Sequence, residues 1–183
     1  MQQALNYCQG VIEKRNTLPI LSNILLDVTA NRLTITATDL DLIFIHRINN
    51  IEVFEEGKTT TSSSIMYDII RKFSSGKKIN VDLTESSKLH LESEKSIFNL
   101  NCISATEFPL TDENFVENEF QMKSKQLLKL LNKCKFSVSN DETRHYLSGI
   151  FFHLTEIDNK KYLTAVATDS HRMSISKTLL TNE

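Results

Sequence analysis

The chain has 183 residues, of which 40% are apolar and 24% charged, and its formal net charge is −2. That is the make-up of a globular protein, and no run approaches the ~20 apolar residues of a membrane span. The slight acidic balance excludes a protein that grips nucleic acid through a general basic surplus, so any such role must rest on a local basic surface or on topology. No secretory leader is visible. Cys8, Cys102 and Cys134 are odd in number and lack zinc spacing, which points to a reducing cytoplasm.

Residues 2–13 read as an amphipathic helix with Leu5, Cys8, Val11 and Ile12 on one face. Lys14-Arg15-Asn16 leaves it, and Pro19 is expected in an extended segment. Ile24–Val28 and Leu33–Thr38 form a hairpin, with a third strand at Leu42–Arg47. Gly57–Ser62 is a threonine-rich strand running into a helix over Ser64–Phe73. Ile65, Ile69, Ile70 and Phe73 are expected on its inner face, with Asp68, Arg71 and Lys72 opposite. Ser74-Ser75-Gly76 ends that helix. Ile79–Thr84, Lys88–Ser93 and Ser96–Cys102 follow as strands joined by polar turns. The stretch from Glu107 to Glu119 reads as a linker. Glu119–Lys123 alternates like a strand, and a helix begins at Ser124.

The chain then repeats itself. Leu21-Ser22-Asn23 matches Leu147-Ser148-Gly149 at an offset of 126, and Ala37-Thr38-Asp39 matches Ala167-Thr168-Asp169 at an offset of 130. The four extra residues are expected in a longer turn at Ile157–Lys161. A period this long is the size of a small domain rather than a solenoid unit. The reading is therefore a first domain at 1–118, lacking its opening strand, and the first half of a second copy at 119–183. The chain is expected to be a fragment of a longer protein. Cys8 and Cys134, also 126 apart, become equivalent buried helix positions. Within the first copy, the order helix, three strands, strand, helix, three strands suggests a smaller duplication.

The helix from Ser124 carries Lys125, Lys129 and Lys133. A spacing of four places them within a stripe of about 80°. Leu127, Leu130, Leu131 and Cys134 lie on the other side. Such a stripe is either a solvated face or a surface offered to a phosphate backbone. No acidic residue interrupts it, which favours the second reading. Chemistry of other kinds is missing. The four glycines build no phosphate loop, and the five histidines show no metal spacing. Asp169-Ser170-His171 has hydrolase-like residue types, but neighbours on a strand face opposite ways. Asp39 and Asp169 are expected to cap turns. Neither a catalytic centre nor a cofactor is expected.

Thr17-Leu18-Pro19-Ile20-Leu21-Ser22-Asn23, Thr38-Asp39-Leu40, Phe108-Pro109 and Ala167-Thr168-Asp169-Ser170-His171-Arg172 resemble the bacterial DNA polymerase III beta subunit, the sliding-clamp family. The resemblance covers nearly all of the chain, in order and spacing. It implies an α+β clamp fold of repeated domains, with antiparallel strands outside and helices on the inner face. It implies a non-catalytic processivity factor, in which two chains close head-to-tail into a ring around duplex DNA. Lys125, Lys129, Lys133, Arg71 and Lys72 would face the DNA. Arg15 matches a basic loop residue that touches it, and Asn140, His145 and Tyr146 match a second DNA-contacting loop, made acidic here by Asp141 and Glu142.

The resemblance also implies a peptide pocket through which the polymerase core and the clamp loader dock. Leu147, Thr168, Ser170, His171, Arg172 and Met173 match one of its walls. Family members usually carry glycine where Ser170 stands and often leucine at Met173. Phe98 and Leu100 match the apolar contacts of the dimer edge. Against this stand two other readings: an interaction module or inactive clamp relative, indifferent to charge reversal at the three lysines, and a hydrolase using Asp169 and His171.

Overall fold

The computed structural model describes residues 1–12, 18–84, 87–109 and 120–180. The chain divides into two compact units, Met1–Asp112 and Glu113–Glu183. Unit 1 contains α1 (Gln2–Cys8), β1 (Asn23–Thr29), β2 (Arg32–Thr38), β3 (Ile43–Asn49), β4 (Gly57–Ser62), α2 (Ser63–Ile70), β5 (Asn80–Thr84), β6 (Lys88–Ser93) and β7 (Ser96–Ile103). Its seven strands are antiparallel neighbours in the order β3-β2-β1-β4-β7-β6-β5. The two helices pack on each other, and the Gln9 side-chain amide donates to Ser63 Oγ at 2.7 Å.

The core lies between helices and sheet. Leu5 and Cys8 of α1 meet Ile24, Leu26, Ile35, Ala37, Met66, Leu89 and Leu91. Each strand supplies alternate side chains to that face, as the two-residue period requires. β4 is buried through Thr59, Thr60 and Thr61, whose hydroxyls need partners there. Thr60 Oγ1 donates to the Ile103 carbonyl (2.8 Å) and accepts from the Asn23 amide (3.1 Å). The helix–strands order occurs twice within the unit, as expected.

Unit 2 contains α3 (Ser124–Cys134), β8 (Phe151–Ile157), β9 (Lys160–Thr168) and β10 (Met173–Leu179). The sheet order is β10-β9-β8. Leu130 and Cys134 of α3 pack on Leu163, Ala165 and Ala167 of β9. Cys8 and Cys134 are both fully buried, as their equivalence predicts.

Several expectations are corrected. The four extra residues of the second hairpin do not lengthen its turn, which is only Asp158–Asn159, both at positive φ. They extend the arms instead: 149–157 and 160–168 are each two residues longer than 23–29 and 32–38. Two residues per arm preserve the inward–outward alternation, whereas one would invert it. Pro19 opens a short 3-10 helix, Pro19–Ser22, rather than an extended segment, because its fixed φ suits a first helical position. α1 ends at Cys8 and α2 at Ile70, both earlier than the apolar periodicity suggested.

In α2 the inward stripe is Ser63, Met66 and Ile70, and Ile65 is 53% exposed. Phe108, assigned to the linker, is buried, while 110–119 lie outside the described residues. Residues 120–123 form no strand. Lys123 is extended, but alternation alone makes no ladder without a pairing edge.

Candidate nucleic-acid interface and peptide wall

α3 supplies the basic surface. Its buried side is fixed by Leu130 and Cys134, and the Cys134 thiol donates to the Ala165 carbonyl at 3.4 Å. Burial pushes that thiol's pKa up. At the start of the helix the Lys123 backbone N–H donates to Gln126 Oε1 at 3.2 Å. With one side locked, Lys125, Lys129 and Lys133 are all exposed. None of them joins an ion pair among the described residues. Their ammonium groups therefore remain available to an external anion. Leu127 is 37% exposed and lines an open apolar groove with Phe120, Met122, Phe152 and Leu154.

In unit 1 the candidate cations differ. Arg71 caps α2, but its guanidinium pairs with Asp68 at 3.1 Å and lies 5.8 Å from the Tyr67 ring centre. Lys72 is exposed and in no ion pair among the described residues. Arg15 lies outside the described residues.

The second loop is held by Asp141, which caps the 3-10 segment Glu142–Leu147. Its carboxylate accepts from the Thr143 hydroxyl (2.6 Å), the Thr143 N–H (3.0 Å) and Arg144 Nε (2.7 Å). The Thr143 hydroxyl, then Arg144, hold its pKa down at about 2. The acidity at this position is thus engaged internally by a cation. Asn140, His145 and Tyr146 are exposed, Tyr146 at 77%. The side chain of Glu142 lies outside the described residues.

Thr168, Ser170, His171, Arg172 and Met173, expected to form a peptide wall, sit at or beside a turn that the chain builds twice. Asp39 Oδ1 accepts from the N–H groups of Asp41 (3.1 Å) and Leu42 (2.7 Å), and Thr38 Oγ1 from that of Leu40 (3.0 Å). At the second site Asp169 Oδ1 accepts from His171 (3.0 Å) and Arg172 (2.9 Å), and Thr168 Oγ1 from Ser170 (3.2 Å). These backbone donors, Arg172's first, lower the Asp169 pKa. Both aspartates cap turns, as expected.

The third residue of each turn is left-handed, Leu40 at φ 85° and Ser170 at φ 79°. That backbone favours glycine. Asp169 Oδ2 also takes Arg172 Nε at 2.8 Å, and Arg172 lies 5.7 Å from the Phe136 ring centre. His171, Arg172 and Met173 are exposed, and Leu147 and Thr168 half-buried. Ser170 Oγ accepts from Arg144 Nη1 at 3.0 Å, so Asp169 and Ser170 are occupied by arginines and backbone rather than arranged as a nucleophile and base.

The edge residues divide. Leu100 is 5% exposed and belongs to the core of unit 1. Phe98 is 37% exposed, and its ring is tilted by 55° to that of Phe73, centres 5.9 Å apart. With Ile65, Ile69 and Asn101 it lines a groove of about 390 Å³ between α2 and β7. β7 pairs with β4 only at Ile103 and Cys102, which leaves the edge at 96–101 without a second strand among the described residues.

Sequence reasoning did not single out Arg144, which bonds both Asp141 and Ser170. Its signal was an acid and a base three residues apart, close enough in sequence to pair across the cap.

The chain as a whole matches known proteins. The family description "DNA polymerase III beta subunit, N-terminal domain" fits residues 1–112, and "DNA polymerase III beta subunit, central domain" fits 121–183. The beta sliding clamp of Caulobacter vibrioides (strain NA1000 / CB15N) is 34% identical over 176 residues, 96% of this chain and 47% of that protein. The Escherichia coli K12 clamp is 33% identical over 171 residues, 93% of this chain and 45% of that one. The solved Caulobacter crescentus pol III beta superposes with a TM-score of 0.91 at 33% identity, covering 98% of this chain and 48% of that one. A Pseudomonas aeruginosa beta subunit gives 0.89 at 29% identity, covering 97% and 47%. The fold is that of the DNA sliding clamps. The chain belongs to the DNA polymerase III beta subunit family, and it spans about half the length of the relatives it matches.

Proposed function

We propose that this chain acts as part of a DNA polymerase processivity factor: a sliding clamp, non-catalytic and cytoplasmic, that encircles duplex DNA and tethers the replicative polymerase. Residues 1–118 serve as its N-terminal clamp domain and 119–183 belong to its central domain. The observation that carries the reading is the unpaired lysine stripe of α3, in a chain that resembles sliding clamps over both units. Lys125, Lys129 and Lys133 contact phosphates, with Lys72, Arg71, Arg15, Asn140, His145 and Tyr146 in supporting places. A weak local attraction suits a protein that holds DNA by enclosure, since dense phosphate pairing would impede sliding.

Leu147, Thr168, Ser170, His171, Arg172 and Met173 form one wall of the pocket that takes apolar peptides of the polymerase core and clamp loader. Phe98, with Leu100 beneath it, lies at the self-association edge of a homodimeric ring. No described helix is long and apolar enough to cross a membrane. The test is the salt dependence of duplex binding. Replacing the three lysines by glutamate is expected to lower the slope of log K against log salt by about 0.9 per lost phosphate contact. An unchanged slope overturns the assignment of α3.

A further inference from the structure

We propose that Arg144 is the positioning residue of the peptide wall, recruited by the serine at 170. The inference rests on the wall reading above and deepens it. The turn at 168–172 needs no help from Arg144. Its twin at 38–42 closes with the same threonine and aspartate bonds, and there the left-handed position is held by Leu40. At the 126-residue offset the first copy also has Leu18 where the second has Arg144. Leucine thus stands at both positions in one copy, and a hydrogen-bonding pair stands at both in the other.

The geometry shows what the pair does. Arg144 Nε is held by Asp141 at 2.7 Å while Nη1 reaches Ser170 Oγ at 3.0 Å. One planar guanidinium therefore spans two segments, and its fork fixes direction as well as distance. Asp141 anchors the near end through Thr143, and the Ser139 N–H closes the loop on the Leu147 carbonyl at 3.0 Å. The segment carrying Leu147 is thereby tied to the turn leading into Met173. Without the Ser170 oxygen the guanidinium keeps only Asp141 among the described residues, and the two parts of the wall lose the side-chain link it makes.

The test separates backbone preference from hydrogen bonding. Glycine suits a φ of 79° best but offers no side-chain acceptor. Asparagine tolerates left-handed backbone and supplies a carbonyl oxygen. Amide exchange of the 183-residue chain is followed by NMR in the wild type, Ser170→Gly, Ser170→Ala and Ser170→Asn. Exchange at Arg144–Leu147 is expected to be several-fold faster in the glycine and alanine variants and restored in the asparagine variant, with β9 unchanged in all. Glycine matching the wild type overturns the proposal, as does failure of asparagine to rescue.

Titration of the complete native gene product and its Ser170→Gly variant with acetyl-Leu-Phe amide is the second arm, because residues 1–183 supply only one wall of the pocket. Shifts at Leu147 and Met173 are expected in the wild type, with several-fold weaker binding in Ser170→Gly. Equal binding overturns the role of Arg144 in the wall. Absence of any wild-type shift refutes the peptide-wall reading, and the proposal with it, even if the exchange results stand.

Discussion

β1 and β8 are the same strand of a repeated fold in different surroundings. Ile24, Leu25 and Leu26 are 0%, 3% and 4% exposed, whereas Phe151 and Phe152, the counterparts of Leu25 and Leu26, are 66% and 37% exposed. Both strands are apolar and both pair antiparallel with the next strand. β1 is also flanked by β4, and α1 by α2. β8 has no second strand among the described residues. Burial is therefore set by what lies beside a strand, and the strand's own residues report only which faces are apolar.

The largest effect that separates the two regions is a core truncation. Leu26→Ala should destabilise unit 1 by about 2–5 kcal/mol, since a packed cluster relaxes only partly around a cavity. Phe152→Ala should cost unit 2 about 1 kcal/mol or less, as a half-open site refills with water. Denaturant melts followed by unit-specific NMR signals would check both. Equal losses would mean that β8 is covered in solution.

A second contrast uses the buried thiols. Burial raises the Cys8 pKa from 9.0 to about 11. A folded-state pKa above the unfolded one stabilises the folded state below about pH 9. That contribution is lost as pH rises towards about 11. Stability of unit 1 should fall across this window in the wild type and fall less in Cys8→Ala, as read by urea midpoints. Asp141 runs the other way: its contribution is present above about pH 4 and fades as pH drops towards about 2. The Arg144 Nε–H signal should persist at pH 4 and broaden near pH 2.

Smaller effects sharpen the comparison at the hairpin turns. Ala30 stands at φ 49° where the longer hairpin has Asp158-Asn159, residues that tolerate this backbone. Ala30→Gly is expected to raise the stability of unit 1 by roughly 0.5 kcal/mol. Arg71→Ala should change stability by less than about 0.5 kcal/mol, because its pair with Asp68 is solvent-exposed.

What could be read from the residues follows the range of the forces involved. The turn caps at Asp39 and Asp169 were legible, because a carboxylate and the next backbone amides settle them within four residues. The lysine stripe was legible from helical period, as was the burial of Cys8 and Cys134 from their common offset. Residues 120–123 were misread, because their alternation says nothing about whether a partner edge exists. Ile65 was misread because two adjacent apolar stripes run along α2, and packing rather than hydropathy chose Met66 and Ile70. The Arg144–Ser170 bond joins positions 26 residues apart, and no local pattern announces it.

The clamp reading is tested most directly by topology. The protein purified from its source cells would be loaded onto nicked circular duplex DNA, and the circle then cut once. Co-elution with the closed circle and loss after the cut is the predicted result. Equal retention on the circle and on the linear product would contradict enclosure and leave the lysines of α3 as an ordinary solvated face.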